Sequence, residues 1–229
     1  MGGSIVLAGG AEFGGRMAEV DERALALAGG LDAPVRIIPA AAAPDRNHQR
    51  AGANGQRWFA SLGARDIAVV PLIDRASADE PAVVAALREA RLIYLLGGFT
   101  HYLAQSLTGS QAWAALLTAY AAGAVVAGSS AGAMVLCGHY LHPERNTVLA
   151  GLGLVPGALV IPHHNSFGAS WAPRLAAQHS AITLLGIDER TALIDDGAAG
   201  GWQVYGQGSA TIYRVGQAQV YQVGETVRG

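Results

Sequence analysis

Short apolar runs recur along the chain at helix-length intervals: residues 4–10 (SIVLAGG), 34–40 (PVRIIPA), 66–72 (DIAVVPL), 91–98 (RLIYLLGG) and 123–130 (GAVVAGSS), then 158–162 (ALVIP) and 183–188 (TLLGID). They are continuously apolar rather than alternating, the pattern of strands covered on both faces. The segments between them read as helices over residues 16–28, 46–62, 80–90 and 111–122, the third with Asp79 as its N-cap and Pro81 in its first turn. From residue 190 onward the pattern changes. β-Branched and aromatic residues alternate between glycines with no helical period, which predicts antiparallel strands or hairpins at a sheet edge. The expected fold is α/β: a doubly wound, mostly parallel sheet of flavodoxin-like type, with helices on both faces and antiparallel C-terminal strands. No linker, repeat or low-complexity tract divides it, so residues 1–229 are read as one domain.

Ligands of open α/β sheets bind outside the carboxyl ends of the strands, which places Gly97–Gly98 and the segment GSSAG at 128–132 on one rim. Gly128, Ser130 and Gly132 spell Gly-x-Ser-x-Gly between an apolar strand and a helix-forming run. That is the context of a nucleophile elbow, a strained turn in which small neighbours leave one serine oxygen exposed. Ser130 holds the elbow position and Ser129 does not, leaving Ser129 to shape the turn or the pocket wall. The N–H of Ala131 then points at a developing oxyanion. A second donor is sought in Gly97 or Gly98, where a bare backbone approaches a substrate closely. Thr100 and His101, which follow that glycine pair, are candidate pocket-lining residues. The competing reading of the elbow is a small-residue turn that binds an anion at a helix N-terminus without catalysis.

Composition narrows the chemistry. A hydrophobic fraction of 51% and a formal charge of −2 over 229 residues describe an ordinary globular chain with no signal for nucleic acid. All fifteen basic residues are arginine, so Schiff-base chemistry, a P-loop lysine and a Ser-Lys dyad are excluded. One cysteine, Cys137, cannot close an intramolecular disulfide. The N-terminus lacks a signal-peptide pattern, and no apolar stretch reaches the roughly eighteen residues of a membrane span. The expectation is a cytoplasmic protein off the membrane.

Without lysine, the base for a serine nucleophile is a histidine oriented by a carboxylate. His163 and His164 follow an apolar strand and a proline near the rim. His48 and His179 read as surface residues, and His139 and His142 follow the elbow helix too closely to fold back onto it. The acid candidates are Asp188 and Glu189 at a strand end, with Asp195 and Asp196 farther along in a hairpin turn. No carboxylate stands at a familiar metal-ligand spacing to the histidines, so neither metal nor cofactor is expected.

The motifs IVLAGGAE, IIPAAA, IYLLGGFTHYLAQSL, GSSAGAM, GLGLVPGALVIPHH and GIDERTAL run nearly end to end. Through them the chain resembles the cyanophycinase and α-aspartyl dipeptidase family of serine peptidases, whose fold is similar to class I glutamine amidotransferases. The resemblance implies Ser130 as nucleophile, His163 as base, Glu189 as orienting acid, and Gly98 and Ala131 as the oxyanion hole. The order Ser, His, acid differs from that of α/β-hydrolase esterases. Cysteine chemistry is disfavoured, because Cys137 lies two turns along the elbow helix, in the core. Cyanophycinases read DQHF followed by closely spaced arginines. Here IPHHNSFGASWAPRL puts His164 at the aromatic position and keeps only Arg174, the candidate anchor for an acidic group. The sequence thus predicts a serine peptidase cleaving small peptides or isopeptide-like amides with an aspartyl acyl residue. A catalytically silent ligand-binding member of the fold is the alternative, and C-terminal edge strands offer a homodimer contact.

Overall fold

The computed structural model describes residues 2–196, 201–215 and 217–228. In chain order the elements are β1 (Ile5–Ala8), α1 (Met17–Ala28), β2 (Val35–Ile38), α2 (His48–Ser61), β3 (Ile67–Val69), α3 (Pro81–Arg88), β4 (Leu92–Leu95), α4 (Thr100–Leu107), α5 (Gln111–Ala121), β5 (Val125–Ser129) and α6 (Ala131–Leu136). Then come β6 (Cys137–His142), β7 (Thr147–Ala150), β8 (Val155–Ile161), α7 (Ala172–Gln178), β9 (Thr183–Ile187), β10 (Thr191–Asp195), β11 (Gly201–Gly206), β12 (Ser209–Arg214), β13 (Gln217–Gln222) and β14 (Thr226–Arg228).

Eight strands form one sheet in the order β14-β11-β10-β1-β5-β4-β2-β3. β3, β2, β4, β5 and β1 run parallel, and β10, β11 and β14 complete the edge antiparallel. The apolar strands are covered on both faces, as their composition requires. Val6, Ala8, Leu92, Tyr94, Val125 and Ala127 face a core shared with α1 and α2. Ile5, Leu7, Ile93, Leu95 and Val126 face the other core, which α3, α4, α5 and α6 fill.

The structure corrects the single-sheet expectation. β8 and β9, read as further strands of the parallel sheet, belong to a second sheet of six in the order β13-β12-β9-β8-β6-β7. A continuous apolar run satisfies either sheet equally, and here both sheets flank α6, which touches β1, β4 and β5 on one side and β6 and β8 on the other. The elbow helix is short for the same reason. It ends at Leu136, and Cys137 is the first residue of β6 rather than a helical position. The thiol is fully buried, its Sγ lies 3.7 Å from the Ala133 carbonyl, and burial pushes its pKa up to about 12.

Asp79 is also relocated. It ends a 3-10 turn, and Glu80 precedes α3, which Pro81 opens. The Asp79 carboxylate instead accepts the Gln111 N–H at 2.7 Å and so serves the first turn of α5, where the Ser110 hydroxyl accepts from Trp113 at 3.0 Å. Asp195, read together with Asp196 in a hairpin turn, is instead the last residue of β10, Asp196 follows it, and residues 197–200 lie outside the described residues. No helix among the described residues is long and apolar enough to cross a membrane.

Candidate active site

β5 delivers the elbow at the carboxyl edge of the sheet. Ser130 adopts φ 50° and ψ −111°, a strained conformation for a residue with a side chain, and its N–H is anchored to the Ala8 carbonyl at 3.0 Å. The turn closes this tightly because its flanking glycines are packed backbone to backbone. A Cβ on Gly128 would lie 2.5 Å from the Gly132 carbonyl carbon, and one on Gly132 would lie 2.2 Å from the Leu95 oxygen. Neither the Ala131 nor the Gly98 N–H meets an acceptor among the described residues, so both remain available to an oxyanion.

His163 and Glu189 arrive from the second sheet. His163 follows β8 with φ 49°, and its N–H donates to the Gly9 carbonyl at 2.8 Å, pinning it to the loop after β1. Its Nε2 lies 3.0 Å from Ser130 Oγ and its Nδ1 lies 2.8 Å from Glu189 Oε1. A carboxylate only accepts, so Nδ1 carries the proton and Nε2 offers its lone pair to the serine hydroxyl. Gly10, at φ 126°, makes room for the ring: a Cβ there would sit 2.3 Å from His163 Cε1. The Phe167 ring stacks on the imidazole at 4.9 Å. Glu189 is fixed through its own N–H, which donates to Asn165 Oδ1 at 3.0 Å, while the next residue's N–H reaches the Gly10 carbonyl at 2.9 Å.

The remaining sequence candidates separate. Ser129 is fully buried, and its hydroxyl donates to Glu12 Oε2 at 2.7 Å, so it belongs to the wall. His164 turns from the serine. Its Nε2 lies 2.9 Å from the Tyr213 hydroxyl and its Nδ1 3.6 Å from Asp188 Oδ1, and burial lowers its pKa against the opposing pull of Asp188. Asp188 in turn accepts from both the N–H and the hydroxyl of Ser209, at 2.8 and 2.9 Å. Thr100 is buried, with its hydroxyl 3.6 Å from Met134 Sδ, and with His101 it lines a cavity beside Gly98 as expected. Arg174, the expected anchor, holds the Asn146 carbonyl at 3.2 Å as well as its side chain, and lines none of the main cavities.

Two cavities meet at Gly98. One, of about 630 Å³, runs beneath α2 and is lined by Glu12, Arg50, Asn54, Arg57 and Trp58. The other, of about 440 Å³, holds Phe99, Tyr102, His101 and His142. His139 and His142 stay off Ser130, as their closeness to the elbow helix predicts, and β6 instead lines this second cavity. It carries His142 to within 4.5 Å of the His101 ring, while Tyr140 places its hydroxyl 2.7 Å from His101 Nδ1. Burial, then His142 and Arg145, hold the His101 pKa below its ordinary value.

Sequence reasoning passed over Glu12, Arg50 and Arg57. The spacing of Arg50, Asn54 and Arg57, one helical face of α2, was the available signal, but a polar helix face ordinarily meets only solvent. Among the described residues no cluster of three or more metal-ligating side chains occurs.

Comparison with known proteins agrees with this architecture. A crystal structure of a peptidase from an acI-B1 Actinobacterium is 31% identical and superposes with a TM-score of 0.88, covering 100% of this chain and 98% of that one. A putative peptidase E protein from Listeria monocytogenes, 19% identical with a TM-score of 0.64, shares the fold over 97% of this chain and 100% of its own. Cyanophycinase from Synechococcus elongatus is 31% identical over 92% of this chain and 67% of its own length, and cyanophycinase from a Nostoc species is 29% identical over 91% and 72%. The family model described as Peptidase family S51 matches residues 5–199, a span that runs from β1 past the elbow, His163 and Glu189. On that match and those relatives, the chain is a member of Peptidase family S51.

Proposed function

We propose that this peptidase works through Ser130, His163 and Glu189 on small peptides or isopeptide-like amides whose acyl residue is aspartyl. Ser130 Oγ attacks the amide carbonyl as its proton passes to His163 Nε2. Glu189 holds the Nδ1 proton and stabilises the imidazolium, and the Gly98 and Ala131 N–H groups receive the oxyanion. The imidazolium then protonates the departing amine. Water, deprotonated by the same nitrogen, releases the acyl group, so no cofactor enters the cycle.

The observation that carries this reading is the continuous relay of 3.0 and 2.8 Å from a strained elbow serine to a carboxylate. The aspartyl preference is supported by Arg50 and Arg57, two guanidinium groups one helical face apart in the larger cavity beside Gly98. Arg174, engaged with Asn146, adds no support to it. The test is turnover of α-Asp-Xaa dipeptides and of β-linked Asp-Arg by wild type and Ser130→Ala, together with fluorophosphonate labelling read by mass. Wild type is expected to release free aspartate and to gain the label on Ser130. The variant is expected to lose about four to six orders of magnitude in kcat, since triad members act as a unit. Equal turnover by Ser130→Ala refutes the mechanism.

A further inference from the structure

Glu12 lies on the loop after β1 and has two oxygens in different situations. Oε2 accepts the hydroxyl of Ser129, whose burial makes that bond a fixed strut. Oε1 has no hydrogen-bond partner among the described residues. It faces the bare edge of Gly97: the point a Cβ would occupy there is 3.3 Å from Glu12 Oε1 and 3.3 Å from Ser130 Cβ. An unengaged carboxylate oxygen thus stands across one glycine from the serine. Arg50 and Arg57 line the same cavity, yet neither forms an ion pair with it. A half-buried carboxylate with a free oxygen selects a cationic hydrogen-bond donor.

Position restricts which cation. In an α-peptide the amino nitrogen stands about 2.5 Å from its own carbonyl carbon, two bonds away. The cationic ends of lysine or arginine side chains are several bonds farther out. With that carbonyl at Ser130, only the α-ammonium stays level with Glu12.

We propose that Glu12 is a specificity-determining residue that binds the free α-ammonium of the residue whose carbonyl Ser130 attacks, so that the enzyme removes the first residue of small peptides. This inference rests on the serine-peptidase reading above. It assigns Oε2 to positioning the carboxylate and Oε1 to the substrate. Blocked or internal aspartyl residues then lack the contact.

The test uses full-length Ser130→Ala, which holds a dipeptide uncleaved, and titrates it calorimetrically with Asp-Leu and with succinyl-Leu, the same molecule without its amine. Asp-Leu is expected to bind at least about tenfold more tightly, the worth of one charged hydrogen bond. Adding Glu12→Gln is expected to bring the two Kd values within about twofold of each other by weakening Asp-Leu alone, since a neutral amide keeps the shape but loses the charge. In the wild-type background, Glu12→Gln should raise KM for Asp-Leu while kcat moves little. Equal binding of the two ligands by Ser130→Ala overturns the proposal with no substitution at Glu12 required, as does failure of Asp-Leu to bind. A loss shared equally by both ligands in Glu12→Gln also overturns it, because Glu12 then acts only through Ser129. The two readings fail separately. Amine-dependent binding with undiminished turnover by Ser130→Ala sinks the triad alone, and Ser130-dependent turnover of both ligands at equal rates sinks the Glu12 assignment alone.

Discussion

The two sides of the relay are built differently. Ser130 sits where a fully buried parallel strand meets a helix wedged between two sheets, and the glycines around it are packed against backbone atoms. His163 and Glu189 sit in loops of the second sheet, half-buried and exposed at their neighbours, and are tied to the first sheet by main-chain hydrogen bonds to Gly9 and Gly10. The serine side is therefore held by packing, which is cooperative with the whole core. The histidine side is held by a few directional bonds, which can be disturbed locally. Serine-side damage should appear as lost stability, and histidine-side damage as lost activity.

The largest expected effect breaks the serine side. Gly132→Ala forces a methyl group to within 2.2 Å of the Leu95 carbonyl oxygen, with no flexible side chain to yield. It should cost about 3 kcal/mol, a fall in Tm of about 6–12 °C, measurable by calorimetry. Gly10→Ala probes the other side. Its Cβ collides with His163 Cε1, and the ring must move away from both Ser130 and Glu189. kcat should drop about a hundredfold, the usual penalty for a catalytic group displaced by about an ångström, with a smaller change in Tm than Gly132→Ala. Should Gly10→Ala unfold the protein as readily as Gly132→Ala, the contrast between the two sides fails.

A pH-dependent effect sharpens the picture between α1 and α2. Asp21 on α1 is fully buried, and its carboxyl is pushed up to about 7 by desolvation, against the Trp58 N–H bonded to it at 2.7 Å and with Glu12 adding to the rise. Its folded value exceeds the ordinary 3.8, so between about pH 4 and pH 7 the native state keeps a proton that the unfolded chain has lost. Stability from this group is full at the acid end, falls as pH rises through that window, and levels off above it. Asp21→Asn removes the slope. The Tm of the variant relative to wild type should climb from pH 4 to pH 7 and then stay constant, and a flat difference would show that Asp21 ionises normally.

The legible parts of the molecule were the local ones. Gly128, Ser130 and Gly132 announce the elbow because the strained turn needs small residues at fixed offsets, all within five positions. The parallel strands from β1 to β5 were visible because burial on both faces demands continuous apolar runs. The second sheet was not, because β8 and β9 satisfy the same demand and nothing in their sequence says which partner strands they meet. The choice between His163 and His164 is likewise tertiary: neighbours on one chain point apart, and the Gly9 and Ile187 carbonyls that hold them come from the loop after β1 and from β9, both far away in sequence. Arg174 looked like an anchor because it alone remains in the stretch where cyanophycinases carry closely spaced arginines. Arg50 and Arg57, more than a hundred positions upstream, line the cavity because α2 packs over the rim.

Cys137 carries one more consequence. The chain's lone thiol is sealed in the seam between the elbow helix and the second sheet, in its unreactive protonated form. Oxidants and alkylating agents reach that sulfur only when the seam opens. The rate at which it is modified is thus a clock for the opening of this molecule, ticking at a point one short helix away from Ser130.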